Sequence, residues 1–137
     1  MGQQQLLLIV LSVIIVGIAV VVGINMFNDQ AASSNLDAVT SDLINLASRA
    51  QQHYRRPTAM GGGGGSFALM TADAAGLAYI TTQPTNENGV YSISAAGTAS
   101  TVTVQGIGTE DGDGDGTAAT AQVQVWQDSL SVTVSNR

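Results

Sequence analysis

Leu6 to Ile24 reads LLLIVLSVIIVGIAVVVGI. Of these 19 residues only Ser12, Gly17 and Gly23 are not aliphatic. A helix of that length rises roughly 28 Å at 1.5 Å per residue, close to the hydrocarbon thickness of a bilayer. No residue from 1 to 28 carries a charge. A cleavable secretory signal begins with positive charge and has a shorter apolar core that ends in a small-residue cleavage site. The leader here, Met1-Gly2-Gln3-Gln4-Gln5, is uncharged, and no such site closes the apolar run. The pattern therefore predicts a helix that stays with the chain and needs an apolar surrounding.

The helical pattern continues past the apolar run. Leu36, Val39, Leu43, Leu46 and Ala50, with Ile44 and Ala47 beside them, recur at spacings of three and four. Such spacings place them on one face of a helix. Asp37, Ser41, Asp42, Ser48 and Arg49 fall mostly outside that stripe. Asn25 to Asn35 is more polar but has no proline, so the helix is expected to run through it. Arg55 and Arg56 suit the negative end of a helix dipole, and Pro57 ends the helix. The expected first unit is residues 1–56, apolar over 1–25 and amphipathic over 26–56. At about 75 Å such a rod is longer than a small globule needs. It must reach across something or pack with copies of itself.

Gly61 to Gly65 is a run of five glycines inside a connector expected at 57–66. It lacks the lysine and the strand–loop–helix setting of a phosphate loop. It reads as a flexible or a tightly turning connector. Residues 67–137 read as a β domain. Period-two alternation gives candidate strands at 66–71, 77–82, 89–95, 100–106, 119–127 and 129–136. Asn88-Gly89 is a turn signal, and Gln127-Asp128-Ser129 can close a hairpin. An antiparallel sheet of five or six strands needs a cover on its apolar face. The stripe from Leu36 to Ala50 is the helical face available. The expected fold class is α+β, a long N-terminal helix packed on a small C-terminal antiparallel sheet.

Charge and composition narrow the chemistry. Ten acids face four arginines, for a net charge of −6. Nucleic-acid affinity rests on many cation–phosphate contacts, so no nucleic-acid partner is expected. With no cysteine, disulfides, thiolate metal sites and thiol catalysis are excluded. His53 is the single histidine, with no second histidine beside it, and is expected to decorate the helix end with Tyr54. The six aromatics, Phe27, Tyr54, Phe67, Tyr79, Tyr91 and Trp126, are expected to pack the core. No convergent acid, base and nucleophile can be named, so no enzyme is expected.

An apolar N-terminal helix, an amphipathic continuation and a C-terminal antiparallel sheet together resemble the type IV pilin family. The resemblance covers the whole architecture, and its sequence signature lies in residues 1 to about 55. It implies a precursor cut by prepilin peptidase, with Met1 as the methylated mature end. It implies that the apolar helix first sits in the inner membrane, and that assembly machinery then draws it into the core of a self-assembled extracellular filament. Met1, Gln5, Leu8, Leu11, Ile15, Gly17 and Gly23 are the residues it assigns to processing and assembly. The chain departs from the family where pilins carry a glutamate at the fifth mature position, which here is Gln5. An amide brings no charge to offset an N-terminal ammonium. The proline common near mature position 22 is Val22 here. A minor pilin or secretion-system pseudopilin, or an anchored domain that never polymerises, remains the alternative.

One segment could hold a metal. Glu110 to Gly116 reads EDGDGDG, and Asp111, Asp113 and Asp115 followed by Gly116 match the start of a Ca²⁺ loop. The twelfth position is Gln122 instead of a bidentate glutamate. The segment reads either as a Ca²⁺ loop, Ca²⁺ being the one candidate ligand, or as an exposed acidic turn. No cofactor is required.

Overall fold

The computed structural model describes residues 2–137. Its main feature is α1, a single unbroken helix over Gly2–Arg55. At 1.5 Å per residue its 54 residues extend about 80 Å. It stops where Pro57 forbids continuation, because the ring disfavours helical backbone in the residue before it. The hydroxyl of Ser12, inside the apolar run, donates to the Leu8 carbonyl at 2.7 Å. The helix thus satisfies this polar group internally.

The glycine run is a turn built onto the end of α1. The last carbonyls of a helix have no partner within it. Here the Gly63 amide donates to the His53 carbonyl at 2.8 Å, Gly65 to Tyr54 at 2.7 Å and Gly64 to Arg56 at 2.9 Å. The Gly62 amide reaches the Pro57 carbonyl at 3.1 Å. Only glycine fits this path. Gly61 and Gly65 have φ of +82° and +86°, and a Cβ on Gly62 or Gly63 would run into the carbonyl oxygens of Arg56 and Ser66. Of the two readings of the connector, the tight turn is the correct one.

Four strands follow, β1 (Gly89–Ala95), β2 (Val102–Gly108), β3 (Thr120–Val125) and β4 (Leu130–Asn136). They pair antiparallel in chain order, β1-β2-β3-β4. Alternation sends Tyr91, Ile93, Val102, Val104, Ala121, Val123 and Val125 to one buried face. The amphipathic half of α1 lies over β2 and β3. It contributes Val39, Leu43, Leu46, Ala47 and Ala50 to the same core. Fully burying a side chain such as Leu43 contributes about 1.5–3 kcal/mol. The expected α+β arrangement of helix on antiparallel sheet is what forms.

Several boundaries differ from expectation. Residues 66–71 form turns, with the Met70 amide on the Phe67 carbonyl. Phe67 and Met70 enter the core at a spacing of three, which no strand allows. Residues 77–82 are not a strand either. Asp73 caps a one-turn helix, α2 (Ala74–Leu77), by accepting the Gly76 amide at 2.9 Å. Leu77 and Ile80 then reach the core from consecutive turns. β2 starts two residues late because Thr98 and Thr101 close a turn across Ser100. The Trp126 amide on the Ser129 carbonyl, at 2.9 Å, closes the β3–β4 hairpin. On β4 only Val132 packs against the core, while Leu130 and Val134 are exposed, because the helix does not extend over this edge strand. Ile44 faces solvent on α1, as do Phe27 and half of Tyr79. Phe67 and Tyr91 are the fully internal aromatics.

Candidate assembly helix and acidic loop

Among the described residues, nothing covers the first half of α1. The most apolar 18-residue window of the helix is 0% buried. Leu8, Leu11 and Ile15 are each more than half exposed. Gln5 lies in the first turns of the same exposed helix, and Met1 is outside the described residues. A Cβ on Gly17 or Gly23 would meet nothing within 4 Å, so these glycines answer no packing demand inside the chain. Small residues of this kind allow close approach of a second helix. A helix that is apolar all round is stable inside a bilayer or inside a bundle of helices.

The acidic loop joins β2 to β3 and sits against the middle of α1. The Gly112 amide donates to the Arg137 carbonyl at 2.8 Å, and Gly112 packs on buried Ala32. Asp111, Asp113 and Asp115 come together, with one carboxylate oxygen from each within 4.8 Å of the others. Their oxygens are partly engaged by the loop itself. Asp111 accepts from the Gly116 and Gly114 amides at 2.7 and 2.8 Å, and Asp115 accepts from Thr117 at 2.7 Å. The amide bonds, that from Gly116 first, hold the Asp111 carboxyl below the usual range. The Asp115 amide pulls Asp113 down too. Desolvation, the hydrogen bond shared with Asp111 and the two neighbouring charges outweigh it, and Asp113 lies above the usual range. Three carboxylates do converge, as the D-x-D-x-D spacing implies, in an exposed turn without flanking helices.

Other residues join α1, the shaft, to the sheet and the segments packed with it, the head, and the sequence pattern did not single them out. Asp42 accepts from the Tyr91 hydroxyl at 2.6 Å, Asn88 at 2.8 Å and Asn86 at 3.0 Å. Burial pushes the Asp42 carboxyl up, but these three donors hold it below the usual range. Burial and the Asp42 contact push the Tyr91 hydroxyl well above its ordinary value. Asn35 donates to the Asn88 carbonyl and accepts from the Thr109 amide. Gln51 reaches the Trp126 and Ser129 carbonyls. Asp42 directly precedes core residue Leu43, and that position on the edge of the stripe was the available signal. His53, expected to decorate the helix end where it meets the sheet, is buried there against Tyr79 with ring centroids 4.8 Å apart. Among the described residues its Nε2 has no hydrogen-bond partner. Burial first, then the Arg56 charge, holds its pKa below the ordinary histidine value.

Compared with family models, curated proteins and solved structures, the chain matches none.

Proposed function

We propose that the chain is the structural subunit of a type IV pilus-like extracellular filament, polymerising through the apolar half of α1. The observation that carries this reading is the unbroken helix, half sealed into the head and half wholly exposed. An anchor needs only a bilayer-length segment and tolerates a loose joint to its head. Here about 30 further residues of the same helix run without a break into the core. Helices packed side by side would therefore fix the heads in register. The same segment serves in a membrane before assembly and in a filament core afterwards, because both demand internal backbone bonding and apolar side chains. Leu8, Leu11 and Ile15 supply the packing surface, and Gly17 and Gly23 the close approach. Gln5 offers amide hydrogen bonds in place of a carboxylate, so registry rests on packing and amides. The precursor is a substrate of prepilin peptidase and of the assembly machinery, and the role of the subunit is structural.

Shearing cells and imaging the released material tests this reading. Long filaments that contain the chain are expected. A detergent-soluble monomer with no filaments would instead identify an anchored surface domain.

A further inference from the structure

Six of the ten acids, all but Asp42, Asp73, Glu87 and Asp128, lie at the acidic-loop end of the head, and three of the four arginines lie at the other. Asp29 and Asp37 on the helix stand beside the acidic loop, lining the same clefts as Asp111 and Asp113. Glu110 and Asp115 belong to that loop, and Arg137 is the cation among these acids. At the other end of the head Arg49 and Arg56 line one cleft with His53 and Tyr79, Arg56 just past the end of α1, while Arg55 reaches the β3–β4 turn that carries Asp128. From Asp29 to Arg55 the helix rises about 39 Å.

The three arginines, Glu110, Asp113 and Asp115 are exposed, Asp111 is half-buried, and both groups are held in place. Arg49 donates to the Ile80 carbonyl at 3.1 Å and Arg55 to the Gln127 carbonyl at 3.1 Å. Those bonds orient the guanidiniums through carbonyl oxygens, which carry no formal charge. Arg56 flanks them at the exposed helix end. The acidic loop is braced by its own amides and by the Gly112 contact with Ala32. Its crowded carboxylates repel one another, a strain that a guanidinium relieves through bidentate hydrogen bonds.

We propose that in the filament the arginine crown of one copy, Arg49, Arg55 and Arg56, receives the Glu110–Asp115 loop of the next copy along the axis. This inference rests on the filament reading. Copies packed with parallel shafts and displaced along the axis bring the crown end of one head toward the loop end of another. Such a head-to-tail contact does not close on itself, and it propagates as an open helix. A displacement near the spacing of the two charge groups juxtaposes opposite charges. Placing like ends together would instead set acid against acid, a cost of several kcal/mol in comparable interfaces. The contact is peripheral, so it selects register and polarity, while the apolar shafts supply most of the cohesion.

The test is a charge swap in the full chain, read as filament recovered by shearing at equal cellular subunit level. Arg55→Glu with Arg56→Glu should lower recovery by about tenfold or more, since like charges then face each other. Asp113→Arg with Asp115→Arg should do the same. Combining all four changes in one chain should restore filaments. Circular dichroism of each variant in detergent checks that the head still folds. Wild-type filaments should also loosen as salt approaches ~1 M, where the screening length falls to about 3 Å. Undiminished recovery from both reversed variants would overturn the contact while leaving the filament reading intact. So would loss without rescue in the four-fold swap, in variants whose heads fold. Dissociation by a chelator, with no response to the arginine changes, would assign the loop to a metal and overturn the contact. Absence of filaments from the wild type would overturn the filament reading, and the contact with it.

Discussion

Alanine placed at each of Gly61 to Gly65 in turn should reveal whether the run is a linker or a cap. In a flexible linker, Gly→Ala is neutral or stabilises by about 0.4–1 kcal/mol through the unfolded chain. The structure dictates a different profile. At Gly62 and Gly63 the new methyl runs into the carbonyl oxygens of Arg56 and Ser66, which are backbone and cannot rotate away. Overpacking of this kind costs about 1–3 kcal/mol. Displacing the loop also weakens the bonds to Pro57 and His53, at about 0.5–1.5 kcal/mol each. Together these give about 2–4 kcal/mol at each of the two positions. At Gly61 and Gly65 there is space for the methyl, and the cost is that of a left-handed backbone, about 1–2 kcal/mol. The assay is denaturant and thermal unfolding of the full chain in mild detergent, followed by near-ultraviolet circular dichroism of Trp126 and the tyrosines. Each kcal/mol should lower Tm by about 4–8 °C for a head of this size. A flat or stabilising profile across all five positions would refute the capping argument.

Leu43→Ala should cost about 2–5 kcal/mol, since Leu43 is fully buried between α1 and the sheet. Asp42→Ala should cost about 2–4 kcal/mol, because it strands the Tyr91, Asn88 and Asn86 donors. The pH profile of unfolding should carry the depressed Asp42 and His53 groups. The Asp42 contribution is full above its ordinary value of 3.8 and is lost as pH falls through the lower folded value. The His53 contribution is full above 6.5 and fades as pH falls through its own depressed value, so His53→Phe should flatten the profile just below pH 6.5. A profile unchanged by His53→Phe would contradict burial of the neutral ring. Val16→Asp should abolish filament recovery, because a charge in an apolar core has neither water nor partner. Normal yield from that variant would remove the shaft from the core.

The long helix was legible because its signals are strong and local: an uncharged apolar run, a stripe at three-and-four spacing, and Pro57 as a stop. β1 is legible to its true ends, because Asn88-Gly89 and alternation agree there. Residues 66–71 and 77–82 misled because short apolar runs fit either period. The deciding features were the Asp73 cap and contacts distant in sequence, such as the Phe67 amide on the Thr98 carbonyl. The exposure of β4 could not be read from alternation, since it depends on which strands the helix covers. The Asp111–Asp115 cluster was legible from spacing alone. The Asp42 network was not, because its partners lie more than 40 residues away.

The absence of cysteine allows single reporters to be placed at will. Val16→Cys on the shaft and Ala99→Cys on an exposed loop of the head would each be exposed to a water-soluble maleimide in sheared material. The account predicts filaments in which the Ala99 reporter labels at once and the Val16 reporter labels only after detergent separates the subunits. Equal labelling of both reporters in intact filaments would contradict the claim that the apolar helix forms the core.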